Sequence, residues 1–466
     1  MTPALVTDDE IFQCDLHGPV IRCEIERMQK EIIIPINDLI CILPRGNRHV
    51  LLFLRKDEKG RETSDESMSL HTIQILSLPE QLSRFRCEGV PTYLGTSSRE
   101  KVERLNIHVI ISSNSGTGTG KSVFEKIVRP FLSQIGVSEY AVHETQSSQT
   151  IIKLCRERLI PHAQAGIKQT VILLSGDGGL TDIIDSFHGT AMQYFIKPNI
   201  ALIPTGTGNA MANSIGLLAR RTTGLLTLLQ GRPNPIPAFL ATFSPGSELV
   251  MGAGSKKENF SFLSRSQSDH LTVYGSVVAS WGMHATLVAD SDTAEYRKFG
   301  AERFQMAAKE ILFPSNGCQA HKFRGLISFT WFDKETGERR TDALPHEEHM
   351  YVVATLVSSL ERGFTISPSS TPLDGCLRII HFGPMASEQV LNLLSAAYRG
   401  GKHTDDPRVT YREVESFRIS FDEVDERWRR VCIDGKIIAV GHGGWLNVQK
   451  ASEHRLNVLL PSHIDV

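Results

Sequence analysis

The chain has 466 residues, more than one hydrophobic core usually serves, so two or three domains are expected. Its formal net charge of -2 excludes broad electrostatic capture of nucleic acid, and no nucleic-acid partner is expected. The eight cysteines show neither a C-x-x-C pair nor zinc spacing, which predicts free thiols in a reducing compartment. No apolar run approaches the roughly 18 to 20 residues of a membrane span, and Met1 to Glu10 is too acidic for a signal or transit peptide.

Residues 1–104 contain β-like "EIIIPINDLICIL" and "HVLLFLRK", separated from later structure by the polar run "KDEKGRETSDES". They are expected to form a small β-rich N-terminal domain, with membrane docking as its expected use. From residue 105 short β-rich runs alternate with helical patterns. "NIHVIISS" leads into "SNSGTGTGKS", which resembles a P-loop, but Ser115 stands where the first glycine should be. A dinucleotide fingerprint fails as well, because Lys121 occupies the place of its third glycine. The segment still reads as strand, Gly-rich turn and helix, with Pro130 expected to kink or cut that helix.

The same unit recurs. "EYAVHET" precedes helical "IIKLCRERL"; "TVILLSGDGG" precedes a helix with Leu180, Ile183, Ile184 and Phe187 on one face; "NIALIPTGTGN" precedes "AMANSIGLL". Repeated units with near-continuous apolar strands predict a parallel sheet covered on both faces, with the Gly-rich loops gathered at the carboxyl ends of its strands. This α/β domain is expected over residues 105–235. Pro-rich "QGRPNPIPA" marks its end. Residues 236–450 turn to β-like segments such as "LTVYGSVVASWG", "HMYVVATLVSS" and "SFRISF", which predict an antiparallel β-sandwich. Residues 245–270 read as a polar, mobile loop, and 451–466 as a C-terminal tail. The fold class expected is therefore α/β, a parallel-sheet nucleotide-binding domain plus an antiparallel β-sandwich and a β-rich N-terminal extension.

"LLSGDGG" presents Asp177 between glycines at a strand end, and "PTGTGN" adds a second loop rich in N–H and hydroxyl donors. Taken alone, Asp177 reads equally well as a helix N-cap in a tight turn. Together with "SGTGTG" the loops suggest three walls of a phosphate site. "SGDGG…D" with "IPTGTGNAMANS" resembles the catalytic region shared by diacylglycerol, ceramide and sphingosine kinases. "SVVASWGMHATLVADSDTAEYRKFGAERF" is similar to the sphingosine kinase block, and "LDGCLRII" and "CIDGKII" resemble two late Asp-Gly motifs of that superfamily. The resemblance covers about residues 105–448.

It implies an ATP-dependent lipid kinase with the nucleotide between the α/β domain and a lipid-binding sandwich. Asp177 would be the general base for a lipid primary hydroxyl. Gly116, Gly118, Thr145, Gly176, Gly178, Thr207, Gly208, Asn209, Arg297, Arg303 and Gly435 would line ATP. Asp292 would hold the ammonium of a sphingoid base, with Asp290 and Glu295 as alternatives in the same acidic trio. Without the resemblance, this stretch reads as a solvated helix start capped by Thr293. Asp182 and Asp434 would hold Mg2+. A lipid substrate, a cytoplasmic location with peripheral membrane contact, and a homodimer are the further expectations.

Two departures stand out. Ser112-Ser113 replaces the family's Asn-Pro, leaving Asn114 to supply that contact, and Lys436 replaces the Glu of Asp-Gly-Glu. Lys436 would then sit on phosphate or point away. His284, beside Trp281, reads as a packed histidine. "ERWRR", Glu426 to Arg430, reads either as a headgroup-docking patch or as a turn with solvated charges.

Overall fold

The computed structural model describes residues 11–25, 30–56, 68–95, 106–113, 115–251, 256–258, 270–300 and 302–462. Six N-terminal strands, β1 (Ile11–His17), β2 (Val20–Ile25), β3 (Lys30–Pro35), β4 (Leu39–Arg45), β5 (Arg48–Lys56) and β6 (Met68–Ile75), form a sheet of order β3-β2-β1-β6-β5-β4. The expectation of eight free thiols is corrected here: Cys14 and Cys23 face each other across β1 and β2 and form a disulfide. Their separation in sequence carries no recognised motif, and only the hairpin register brings them together. Alternation along β4 and β5 sends Ile40, Leu52 and Leu54 toward Phe124, Phe131 and Leu228, so this sheet packs on one face of the next domain.

The parallel sheet contains β7 (Asn106–Ile111), β8 (Ala141–Glu144), β9 (Gln169–Ser175) and β10 (Asn199–Pro204), in the order β8-β7-β9-β10. All seven residues of β9 are buried, as the continuous apolar run requires of a strand covered on both faces. The chain leaves β7 toward β8 and crosses back to β9, so the loops after β7 and β9 diverge and open a crevice. The sheet is completed by Asn457–Leu460, parallel to β10, and by β11 (Arg232–Pro235), antiparallel to it. Thus part of the expected C-terminal tail is a sheet strand.

Pro130 does not cut its helix. Gly120–Val123 continues through a π turn, Phe124–Val128, into Arg129–Gln134. The wide turn before the proline absorbs its missing N–H and ring bulk. Thr150–Leu154, Cys155–Leu159 and Ile160–Gln164 repeat the device ahead of Pro161.

The later residues form two antiparallel sheets, one of seven and one of eight strands, enclosing a core that includes Phe239, Trp281, Ile327, Val352 and Phe417. Within the expected loop 245–270, Glu248–Met251 and Lys256–Glu258 form a hairpin, while 252–255 and 259–269 lie outside the described residues. No helix of the described residues is long and apolar enough to cross a membrane.

Candidate active site

The Gly-rich loops after β7, β9 and β10 meet through contacts that side chains would block. Gly116 has φ +58°, and a Cβ there would lie 2.5 Å from the Thr205 carbonyl; one on Gly206 would lie 2.4 Å from Gly176 Cα. Ser115 Oγ accepts the Gly176 amide at 2.8 Å, and Thr145 Oγ1 accepts that of Ser113 at 3.1 Å. Asn209, at φ 51°, spends its amide on Gly206, accepting from its N–H and donating to its carbonyl. It braces the loop from behind rather than lining the crevice. This cradle of small residues with free backbone approach fits a polyphosphate.

Asp177 opens the helix Asp177–His188, and its two carboxylate oxygens accept the amides of Ala210 and Met211 at 2.8 and 3.0 Å. Burial raises its pKa and these amides oppose the rise. Asp177 is not the N-cap of its own helix, a place taken by Gly176; its carboxylate instead holds the first amides of the helix Ala210–Ser214, and the residue lines the cavity.

That cavity has a volume of about 1550 Å³. Its polar end holds Gly116, Thr145, Gly176, Asp177, Gly178, Thr207 and Gly208. Its apolar end runs between the helices Met283–Ser291, Glu302–Leu312 and Ser387–Ala397, with Leu287, Ala308, Tyr351, Phe364, Leu391 and Leu394 on the wall. Gly118 does not line it.

Of the acidic trio only Asp292 reaches the cavity, where Arg303 Nη1 stands 3.5 Å from it. Asp290 is held by Arg427 and Arg430 at 2.9 and 2.7 Å, and Glu295 is exposed and does not line the cavity. The side chain of Arg297, like residue Asn114, lies outside the described residues.

The expected metal ligands are engaged elsewhere. Lys436 Nζ lies 3.0 Å from both Asp182 and Asp185 and neutralises the helix acids. Asp434 and Gly435 both have positive φ and form the two-residue turn of a hairpin. The Asp434 carboxylate accepts the amides of Ser276, Val277 and Val278, with Thr181 Oγ1 at 3.2 Å. Burial still pushes its pKa up to about 6. No group of three His, Cys, Asp or Glu among the described residues is placed to hold a metal ion. Asp185 escaped the sequence reading, although its place three residues after Asp182 on one helix was a usable signal.

His284 is packed as expected, edge-on to Tyr351 and 2.7 Å from Ser280 Oγ. The arginines of "ERWRR" are used internally: Arg427 and Arg430 on Asp290, Arg429 on the carbonyls of Val440, Glu423 and Val424.

A nucleotide-type cradle opening into an apolar cavity defines an ATP-dependent lipid kinase, and residues 106–240 match the diacylglycerol kinase catalytic domain. The chain is also similar to sphingosine kinases. It is 21% identical over 379 residues to sphingosine kinase 1 of Arabidopsis thaliana, covering 74% of this chain and 70% of that protein. The figures for sphingosine kinase 2 of the same plant are 21% over 398 residues, 78% and 75%. Sphingosine kinase B of Dictyostelium discoideum is 26% identical over 191 residues, 39% of this chain and 23% of that protein. A Bacillus anthracis str. Sterne protein described as a diacylglycerol kinase shares the fold, with TM-score 0.50 at 15% identity over 77% of this chain and 98% of that one.

Proposed function

We propose that the chain transfers the γ-phosphate of ATP to the primary hydroxyl of a sphingoid base, giving a sphingoid base 1-phosphate. The observation that carries this reading is the single cavity joining the Gly-rich loops to the apolar walls, with Asp177 among its lining residues.

ATP, when bound, supplies the phosphoryl group. The loop amides at Gly116 and Gly208 would position its phosphates, and Arg303 would add positive charge on the cavity wall. Magnesium would be held mainly by those phosphates, since Asp182 and Asp434 are engaged by Lys436 and by backbone amides. Asp177 would accept the hydroxyl proton; its raised pKa brings it nearer the range of a working base. The apolar end would take the alkyl chain, and an acidic side chain of the cavity would meet the substrate's ammonium. Exposed Met306 and Phe313 on and after the helix Glu302–Leu312, with Phe299 before it, favour peripheral contact with the membrane that holds such a lipid.

The test is transfer of labelled γ-phosphate to sphingosine, dihydrosphingosine, ceramide and diacylglycerol. Label on the two free bases supports the reading; label confined to ceramide or diacylglycerol overturns the substrate.

A further inference from the structure

Glu361 ends the first strand of a small hairpin, Ser359–Glu361 with Phe364–Thr365, and lines the cavity. This hairpin is tied to the short helix that holds Asp177. Ala210 and Met211 donate to the Asp177 carboxylate; on the same helix Asn213 Nδ2 donates to the Glu361 carbonyl at 3.0 Å, and Ser214 Oγ accepts the Ser359 amide at 3.1 Å. The two strands of contact meet at Gly208, where an added Cβ would lie 3.2 Å from the Leu360 carbonyl and 3.8 Å from Asp177 Oδ2. Glu361 and the base are thus positioned by one element at one wall of the cavity.

Its charge is balanced differently from that of the other cavity acids. Asp292 faces Arg303, and Asp182 and Asp185 share Lys436. Asp177 and Asp434 are held by backbone amides. Glu361 accepts one hydrogen bond from the Tyr398 hydroxyl, itself bonded to Gln305, and forms no ion pair with a cation of the described residues. Half-buried and without a counter-charge among the described residues, the carboxyl has its pKa raised by burial, against the Tyr398 bond. A ligand cation would remove that cost.

We propose that Glu361 receives the ammonium of a 2-amino-alcohol lipid whose adjacent hydroxyl faces Asp177, and so sets a preference for free bases over N-acylated or amine-free lipids. This rests on the sphingoid-base reading. In such a substrate hydroxyl and ammonium sit on neighbouring carbons, which suits the Asp177 carboxylate and the Glu361 backbone being held by one helix.

The experiment compares steady-state kinetics of the parent, E361Q and E361D on dihydrosphingosine and on diacylglycerol. Glutamine keeps an acceptor for Tyr398 and removes only the charge. The expected result is a KM for the free base raised at least about tenfold in E361Q, with kcat and the KM for ATP little changed, diacylglycerol turnover not reduced, and partial recovery in E361D. An unchanged KM for the base in E361Q overturns the proposal, as does an equal rise for both lipids. If the parent itself phosphorylates only diacylglycerol, the sphingoid-base reading falls and this proposal with it; if the parent takes the base and E361Q is unaltered, only the role of Glu361 falls.

Discussion

Lys436 Nζ stands 3.0 Å from Asp182 Oδ1, joining the late hairpin to the helix that begins with Asp177. The same ammonium reaches Asp185, whose other oxygen accepts the Tyr274 amide. Burial alone would lower the lysine pKa, but the two carboxylates outweigh it and raise it. Removing one partner of a buried ion pair costs about 3–5 kcal/mol, because the other charge is left uncompensated. Lys436→Met should therefore lower the melting temperature clearly, and Lys436→Glu should lower it further by grouping three acids. Thermal unfolding of the two variants checks this; a Lys436→Glu protein as stable as the parent would contradict it.

The loop contacts make a second prediction. In Gly206→Ala the new methyl would lie 2.4 Å from Gly176 Cα and 2.9 Å from Asn209 Oδ1, so the β9 and β10 loops must separate. A shift of this kind costs about 1–3 kcal/mol, enough to weaken nucleotide binding about tenfold or more. Calorimetric titration with a non-hydrolysable ATP analogue should show that loss.

The apolar end should be separable from the polar end. Ala308 lies on the cavity wall, on the helix Glu302–Leu312. Ala308→Trp should fill part of the cavity and raise the lipid KM about tenfold or more while leaving the KM for ATP near the parent value. Equal effects on both substrates would argue against a divided cavity.

Acid should unfold the protein through its buried histidines. Burial holds His284, His108 and His188 at about 4, below the ordinary value of 6.5. The unfolded chain binds these protons first, so stability is intact above pH 6.5 and is lost as pH falls toward 4. Each group accounts for about 2 kcal/mol by pH 5. Melting temperature measured from pH 7 to 5 should fall, and His284→Asn, which keeps a partner for Ser280, should fall less steeply.

The parallel strands β7, β9 and β10 were legible because each carries its own apolar run and leads into a Gly-containing loop, so local pattern and tertiary position agree. The strand Asn457–Leu460 was not, since four residues in a polar context gain strand character only from pairing with β10 and β11. The loop glycines could be read for the same local reason. The partners of Lys436 could not: 251 residues separate it from Asp185, and only the docking of the hairpin on the helix joins them. Asp290 and Asp292 look equivalent in sequence, and the neighbouring arginines decide which one reaches the cavity. The Cys14–Cys23 bond was hidden similarly, in a hairpin register that a cysteine count does not reveal.

The most direct test of the account is the rate of γ-phosphate transfer from ATP to dihydrosphingosine by the parent and by Asp177→Asn, with the fold of both verified by melting temperature. Loss of the base should reduce the rate by about 100-fold to 10,000-fold while nucleotide binding persists. A folded Asp177→Asn protein that transfers phosphate at the parent rate would contradict the assignment of Asp177 and, with it, the catalytic site described at the meeting of the three loops.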